Sequence, residues 1–237
     1  MSGWARKRFW KEVTTGAEAG GFAVLLDGRP LRTPAKTPLI LPSPALADMV
    51  AAEWAAQGEV IDPESMPATR AANAAIDKVT GQFPEVAAML AAYGDTDLLC
   101  YRAEAPAELV AEQARAWDPL LDWAARRYGV RFAVTAGVMP ATQPPETLAT
   151  LAARVHRLTP FQLTAFHDLV ALSGSLVIAL AVTENHDTPD SLWQASRIDE
   201  DWQARQWGAD DEARQQAARR RDAFLQAAKF FGACPAE

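Results

Sequence analysis

SPALADMVAAEWAAQG, residues 43–58, is where the chain changes its period. Ser43 is suited to cap a helix and Pro44 to take its first position. Leu46, Val50 and Trp54 follow at four-residue spacing until Gly58 ends the run. The residues before this stretch read as short strands, and nearly all those after it read as helices. The junction therefore sets the fold class as α+β: a small N-terminal β-rich (α/β) domain with this one helix, residues 1–62, then a larger, mostly α-helical domain, residues 63–237.

Upstream, Arg8 to Thr14 and Phe22 to Leu26 are rich in β-formers, with a loop containing Gly16, Gly20 and Gly21 between them. Asp27-Gly28 predicts a hairpin turn before Arg29 to Thr33, and Leu39 to Leu41 offers a further strand. Pro30, Pro34, Pro38 and Pro42 cannot donate to a ladder, which confines these strands to short pieces or edges. Downstream, Asp62 to Pro67 reads as a linker. Helices are expected over residues 68–79, 84–93, 106–128, 145–157, 160–183, 189–207 and 211–231. Thr159-Pro160-Phe161-Gln162 combines a capping threonine, a proline at the first helical position and a glutamine able to complete a capping box, and Thr188-Pro189-Asp190 opens a later helix in a similar way. Val130 to Val134 is the one strand-like run in the second half and a candidate to return to the N-terminal sheet.

The 237 residues are 49% hydrophobic, enough for a substantial core. A net charge of −7 argues against a nucleic-acid surface, because the basic clusters are short: Arg219, Arg220 and Arg221 sit among Asp210, Asp211, Glu212 and Asp222. Cys100 and Cys234 lack the close spacing of a zinc cage and fit a reducing compartment. The first residues have no apolar run after their basic ones, as a secretory signal would require. Leu169 to Val182 is uncharged but shorter than the roughly 20 residues of a spanning helix, so it reads as a buried core helix and no membrane insertion is expected.

Catalytic patterns are hard to find. There is no GxxxxGK[ST] and no GxGxxG, so neither common phosphate cradle is present, and His156, His167 and His186 have neither HExxH nor HxxxH spacing, so a metal or triad role could come only from tertiary convergence. Ser173-Gly174-Ser175 lacks GxSxG and reads as close helix packing.

The richest stretch is SLWQASRIDEDWQARQWG, residues 191–208. On one continuous helix, Leu192, Ala195, Ile198 and Trp202 form an apolar stripe with Asp199 at its edge. Trp193, Glu200 and Trp207 recur every seven residues on another side, with Ser196 and Gln203 between them. Large aromatics on two faces suggest two surfaces to cover. The triplet Asp199, Glu200, Asp201 fans out over about 200° and cannot converge from one helix. A carboxylate at Asp199 calls for an arginine or a partner protein, since Arg197 and Arg205 are not at a favourable offset on the same helix. Trp117 and Trp123 read as core positions, and Trp54 as core, domain interface or partner contact.

Taken together, the residues resemble the F1-ATPase (ATP synthase) assembly chaperone family that binds the alpha subunit. The resemblance rests on Arg6-Lys7-Arg8-Phe9-Trp10, Gly20-Gly21-Phe22, Leu26-Asp27-Gly28-Arg29, Thr33-Pro34, Pro42-Ser43, Leu46-Ala47 and Glu53-Trp54 with Gln57. It continues through Asp95-Thr96-Asp97-Leu98-Leu99-Cys100-Tyr101-Arg102, Trp117-Asp118-Pro119 and Arg127-Tyr128-Gly129. It ends with Ser196 to Gln203 and Trp207-Gly208. The order and spacing of these short motifs run almost the whole chain.

The resemblance implies a two-domain protein without catalysis or cofactor, which holds unassembled alpha subunit, masks its beta-contacting surface and leaves as the hexamer forms. On this basis Glu200, Gln203 and Trp207, with Asp199 at the edge, Trp193 on the same helix and Trp54 from the first helix, are the expected partner-binding residues. Two other classes remain open: a small hydrolase or ligand-binding enzyme using Asp95, Asp97 and His167 or the acidic triplet, and a general holdase. A monomer is expected, since no heptad zipper is present. The expected location is the bacterial cytoplasm, or the mitochondrial matrix if a leader has been removed.

Overall fold

The computed structural model describes residues 7–137, 139–208 and 210–235. Arg6, where the resemblance begins, lies outside them. By contact density the chain divides into two units: residues 1–83 with 159–165 and 229–237, and residues 84–158 with 166–228. The composition boundary at residue 62 falls inside the first unit, and two helices contribute their ends to it.

The first unit is built on a small antiparallel sheet. Strand β1 (Val13–Glu18) pairs with β2 (Gly21–Leu26), which pairs in turn with β3 (Arg29–Pro30) and β4 (Ile40–Leu41). Asp27 and Gly28 close the β2–β3 hairpin with φ of 47° and 76°, the left-handed pair that a two-residue turn needs. Strand β1 starts later than its composition predicts. The Asp27 carboxylate takes the backbone N–H groups of Lys11 (3.0 Å) and Glu12 (2.8 Å), so the ladder begins at Val13 and extends through Gly16.

Helix α1 (Pro44–Ala55) lies against β1 and β2, capped as expected by the Ser43 hydroxyl, which accepts from Leu46 N–H at 3.1 Å. Val24, Leu41, Leu46, Val50, Ala72 and Phe230 meet in its core. Helix α2 (Pro67–Asp77) has no cap of its own. Glu53 of α1 supplies one, accepting from Ala68 N–H (2.6 Å) and Thr69 N–H (2.8 Å) at the positive end of the helix.

The second unit is helical: α3 (Phe83–Ala91), α4 (Ala107–Tyr128), α5 (Pro145–Val155), α6 (Pro160–Ser173), α7 (Leu176–Thr183), α8 (Pro189–Ala195), α9 (Ile198–Trp207) and α10 (Asp211–Ala233). The strand-like run at 130–134 is not a strand and does not join the N-terminal sheet. Gln143 and Thr147 bind its backbone, and the next residues form β6 (Thr135–Ala136), parallel to β5 (Tyr101–Arg102).

Of the three long helices expected in the C-terminal half, 160–183 and 189–207 are broken, and 211–231 is found whole. Between α6 and α7, Gly174 adopts φ 73° and Ser175 caps a new helix by accepting from Ile178 N–H at 3.0 Å. Helix α7 is buried from Leu176 to Val182. Among the described residues no helix is long and apolar enough to cross a membrane.

Candidate functional site

The 191–208 stretch is two helices rather than one. Thr188 caps α8 as predicted, accepting from Ser191 N–H at 3.2 Å. The helix stops where Ser196 donates its hydroxyl to Trp193 C=O at 2.7 Å, a local bond that competes with the helical ladder. Helix α9 then restarts at Ile198 after the non-helical Ser196 and Arg197, which interrupts the face geometry expected of a continuous helix. Trp193 is therefore not on an open face with Glu200 and Trp207. It is 4% exposed, its ring 5.4 Å from that of Phe224 and under the Arg197 guanidinium.

The acidic triplet forms the first turn of α9, where carboxylates complement the positive end of the helix dipole. Asp199 is half-buried, and the partner it finds is an amide rather than an arginine. Gln113 of α4 donates its Nε2 to Asp199 Oδ1 at 2.6 Å, while Gln113 Oε1 accepts from Ala103 N–H at 2.8 Å. One buried amide thus ties α9 to α4 and to the segment before α4. Burial pushes the Asp199 carboxyl above the usual carboxylate range, with the Gln113 bond pulling the other way. Gln113 is on the buried stripe of α4 with Leu109, Trp117, Leu120 and Ala124. A polar residue on such a stripe is the sequence signal that would have found it. Trp117 completes the seam by donating its indole N–H to Ala195 C=O at 2.7 Å.

The outer face of α9 has a different character. Glu200 pairs with Arg197 at 2.6 Å and stays half in solvent, Asp201 and Gln203 are exposed, and Arg205 bridges to Glu112 of α4 at 2.6 Å. Trp207 ends the helix 81% exposed, the most exposed large hydrophobic side chain among the described residues. Trp54, in the first unit, is half-buried with its ring 5.0 Å from that of Trp10.

The residues of a hydrolytic reading have other roles. Asp97 is fully buried, accepting from Leu99 N–H (3.0 Å), Ser175 Oγ (2.8 Å) and Val177 N–H (3.0 Å). Burial lifts its carboxyl to about 6 against the pull of those donors. It is a cap at the start of α7. Asp95 borders a cavity of about 280 Å³ lined with Ala91, Ala92, Leu148, Ala149 and Ala152, which offers no second titratable group. His167 pairs with its neighbour Asp168 at 3.0 Å near the surface.

Helix α9 is thus anchored at one end by a buried amide and presents a bare indole at the other. The profile of the ATP12 chaperone protein family matches residues 7–125. The Schizosaccharomyces pombe mitochondrial protein atp12 is 26% identical over 221 residues, which cover 87% of this chain and 75% of that one. The crystal structure of Atp12 from Paracoccus denitrificans superposes with a TM-score of 0.94 at 52% identity, covering 97% of this chain and 98% of that one. A point mutant of the Paracoccus protein gives 0.92 at 53% identity, covering 95% and 97%. The chain belongs to the ATP12 chaperone family, whose members serve ATP synthase assembly and are chaperones rather than enzymes.

Proposed function

We propose that the chain binds the unassembled alpha subunit of the ATP synthase catalytic head and masks its beta-contacting surface until the hexamer forms. The exposure of Trp207 at the end of an anchored helix carries this reading. A tryptophan left in water is a poor choice for stability and a good one for a contact, because indole rings filling a partner's pocket dominate many interfaces. Glu200 and Gln203, seven and four residues before it on the same side of α9, offer polar contacts along the helix, and Asp199, held by Gln113, positions the helix that carries them. Trp193 acts from below by supporting α8, and Trp54 offers a half-covered ring in the first unit. The net charge of −7 steers association toward basic surfaces and keeps an exchangeable binder soluble. The working compartment is the bacterial cytoplasm or the mitochondrial matrix.

Co-expression with alpha and beta subunits tests the proposal. Alpha alone should be retained on the chaperone, and retention of beta, of neither subunit, or of unrelated unfolded proteins equally well would overturn it. Glu200→Lys should weaken alpha capture several-fold while leaving the fold intact, since Glu200 is half in solvent. Unchanged capture would remove that residue from the interface.

A further inference from the structure

Three helices of the second unit end around one ring. Tyr128, the last residue of α4, has the guanidinium group of its neighbour Arg127 at 5.7 Å from its ring centre and that of Arg154, in the last turn of α5, at 5.2 Å. Its hydroxyl donates at 2.8 Å to Glu184 Oε1, at the end of α7, and Glu184 also takes Arg127. Trp123 packs edge-on against the same ring at 5.5 Å, and the exposed His186 stacks on Trp123 at 4.8 Å.

This end of the unit is rich in cations, in a chain whose net charge is −7. Residues 122–131, 152–158 and 181–187 hold five arginines against three carboxylates, with His156 and His186 besides. Two of the three carboxylates are occupied. Glu184 binds Arg127 and Tyr128, and Asp187 accepts from Thr188 N–H at 2.6 Å and from Ser191 Oγ at 2.8 Å. Arg126, Arg131, Arg154 and Arg157 make no ion pair and no side-chain hydrogen bond among the described residues. The negative ends of helices favour nearby cations, but no described carbonyl accepts from any of these four side chains, so their donors are left over. Arg154 is half-covered and seated on an aromatic ring, so its guanidinium is held in place without an acceptor.

We infer that this face, made of Arg154, Tyr128 and Trp123 with Arg126, Arg131 and Arg157 two or three residues away in sequence, docks an acidic segment of the client. Guanidinium forks match carboxylates in geometry, and the rings of Trp123 and His186 offer a flat surface for such a segment to lie on. The sign of the face is opposite to that of the chain as a whole. A client that meets both must present both signs, which fixes its orientation as well as adding affinity. The excess of carboxylates elsewhere on the chain repels nucleic acid and anionic membranes, which leaves a protein segment as the occupant. The inference rests on the reading of the alpha subunit as client and adds a second contact and the chemistry it recognises.

The test measures the affinity of the full chain for isolated alpha subunit, with Arg29→Glu as control, because Arg29 is exposed in the β2–β3 hairpin and its reversal changes the net charge equally. Arg157→Glu, at an exposed position, should weaken binding roughly tenfold at low salt with the unfolding temperature unchanged, and Arg154→Glu at least as much. The loss should shrink as added salt screens the face. If Arg154→Glu unfolds the protein, the exposed Arg126→Glu is read in its place. Normal binding by the variants of this face, or equal weakening by Arg29→Glu, would overturn the inference. A polyglutamate peptide reads the face without the alpha subunit: it should bind the unaltered chain at low salt and bind Arg157→Glu more weakly. Peptide binding without alpha capture would strike the proposed function and leave the face standing, whereas absence of peptide binding would overturn the face. Vesicles of anionic phospholipid that bind the unaltered chain but not Arg157→Glu would assign the face to a membrane and overturn the inference.

Discussion

The two ends of α9 belong to one helix of ten residues and have opposite surroundings. At the first turn Ile198 is 6% exposed and Asp199 is held by Gln113, while at the last turn Trp207 is 81% exposed. Under the proposed function, this contrast makes α9 a helix that is both precisely placed and available to a partner. The amide at Gln113 fixes where the helix points, and the bare indole remains free to be buried by something else. Preorganising the anchored end reduces the ordering cost that a partner would otherwise meet on binding.

The largest expected contrast uses one residue type at both kinds of site. Trp193→Ala removes a buried ring packed on Phe224 and should lower stability by about 3–5 kcal/mol. Trp207→Ala should stay within about 0.5 kcal/mol of the parent while losing most affinity for alpha subunit. Urea unfolding monitored by far-UV circular dichroism measures both. Equal destabilisation by the two would break the contrast, since it would mean that Trp207 supports the fold.

Next in size is the anchor itself. Gln113→Leu fits a buried site by volume but leaves Asp199 and the Ala103 N–H without their partners, at a cost of about 1–3 kcal/mol in urea unfolding. Affinity for alpha subunit should fall as well, although residue 113 is 1% exposed and cannot touch a client. Loss of stability without loss of affinity would show that the direction of α9 is set by other contacts.

Much of this architecture is visible in local chemistry, and its failures are physical. The Ser43 cap and the Asp27-Gly28 turn are found as expected. The capping box at Thr159 is also found, with Thr159 N–H donating to Gln162 Oε1 at 2.8 Å. Such features are decided within four residues. The two helix breaks were missed because Ser175 and Ser196 are tolerated inside helices by composition, and only tertiary packing selects the rotamers that let them cap or back-bond. The break at Ser196 then moved Trp193 to the interior, so the face shared with Glu200 and Trp207 existed only on an unbroken helix. Trp207 itself was legible because Gly208 ends its helix and no apolar neighbour follows at helical spacing. The exposure of residues 211–216 at the start of α10 was not, because Ala213 and Ala217 continue the spacing of the buried stripe from Phe224 without a change of period.

The smallest expected effect separates a positioning role for Asp199 from an ion-pairing one. Burial raises its carboxyl in the folded chain above the unfolded value, so the native state holds this proton more tightly than the unfolded state does. The associated stability is fully present below the unfolded carboxylate range near pH 4 and declines as pH rises through the folded value. Asp199→Asn keeps an oxygen to accept from Gln113 and loses the titration. Relative to this variant, the parent should therefore become slightly less stable between about pH 4 and the folded value, then hold a constant offset to neutral pH. Half-burial makes the step small, so it is best read as a difference of urea midpoints at matched ionic strength. A parent that instead gains on Asp199→Asn as pH rises would place a cation beside the carboxylate, and Asp199 would then belong with Glu200 on the outer face rather than with Gln113 on the anchored one.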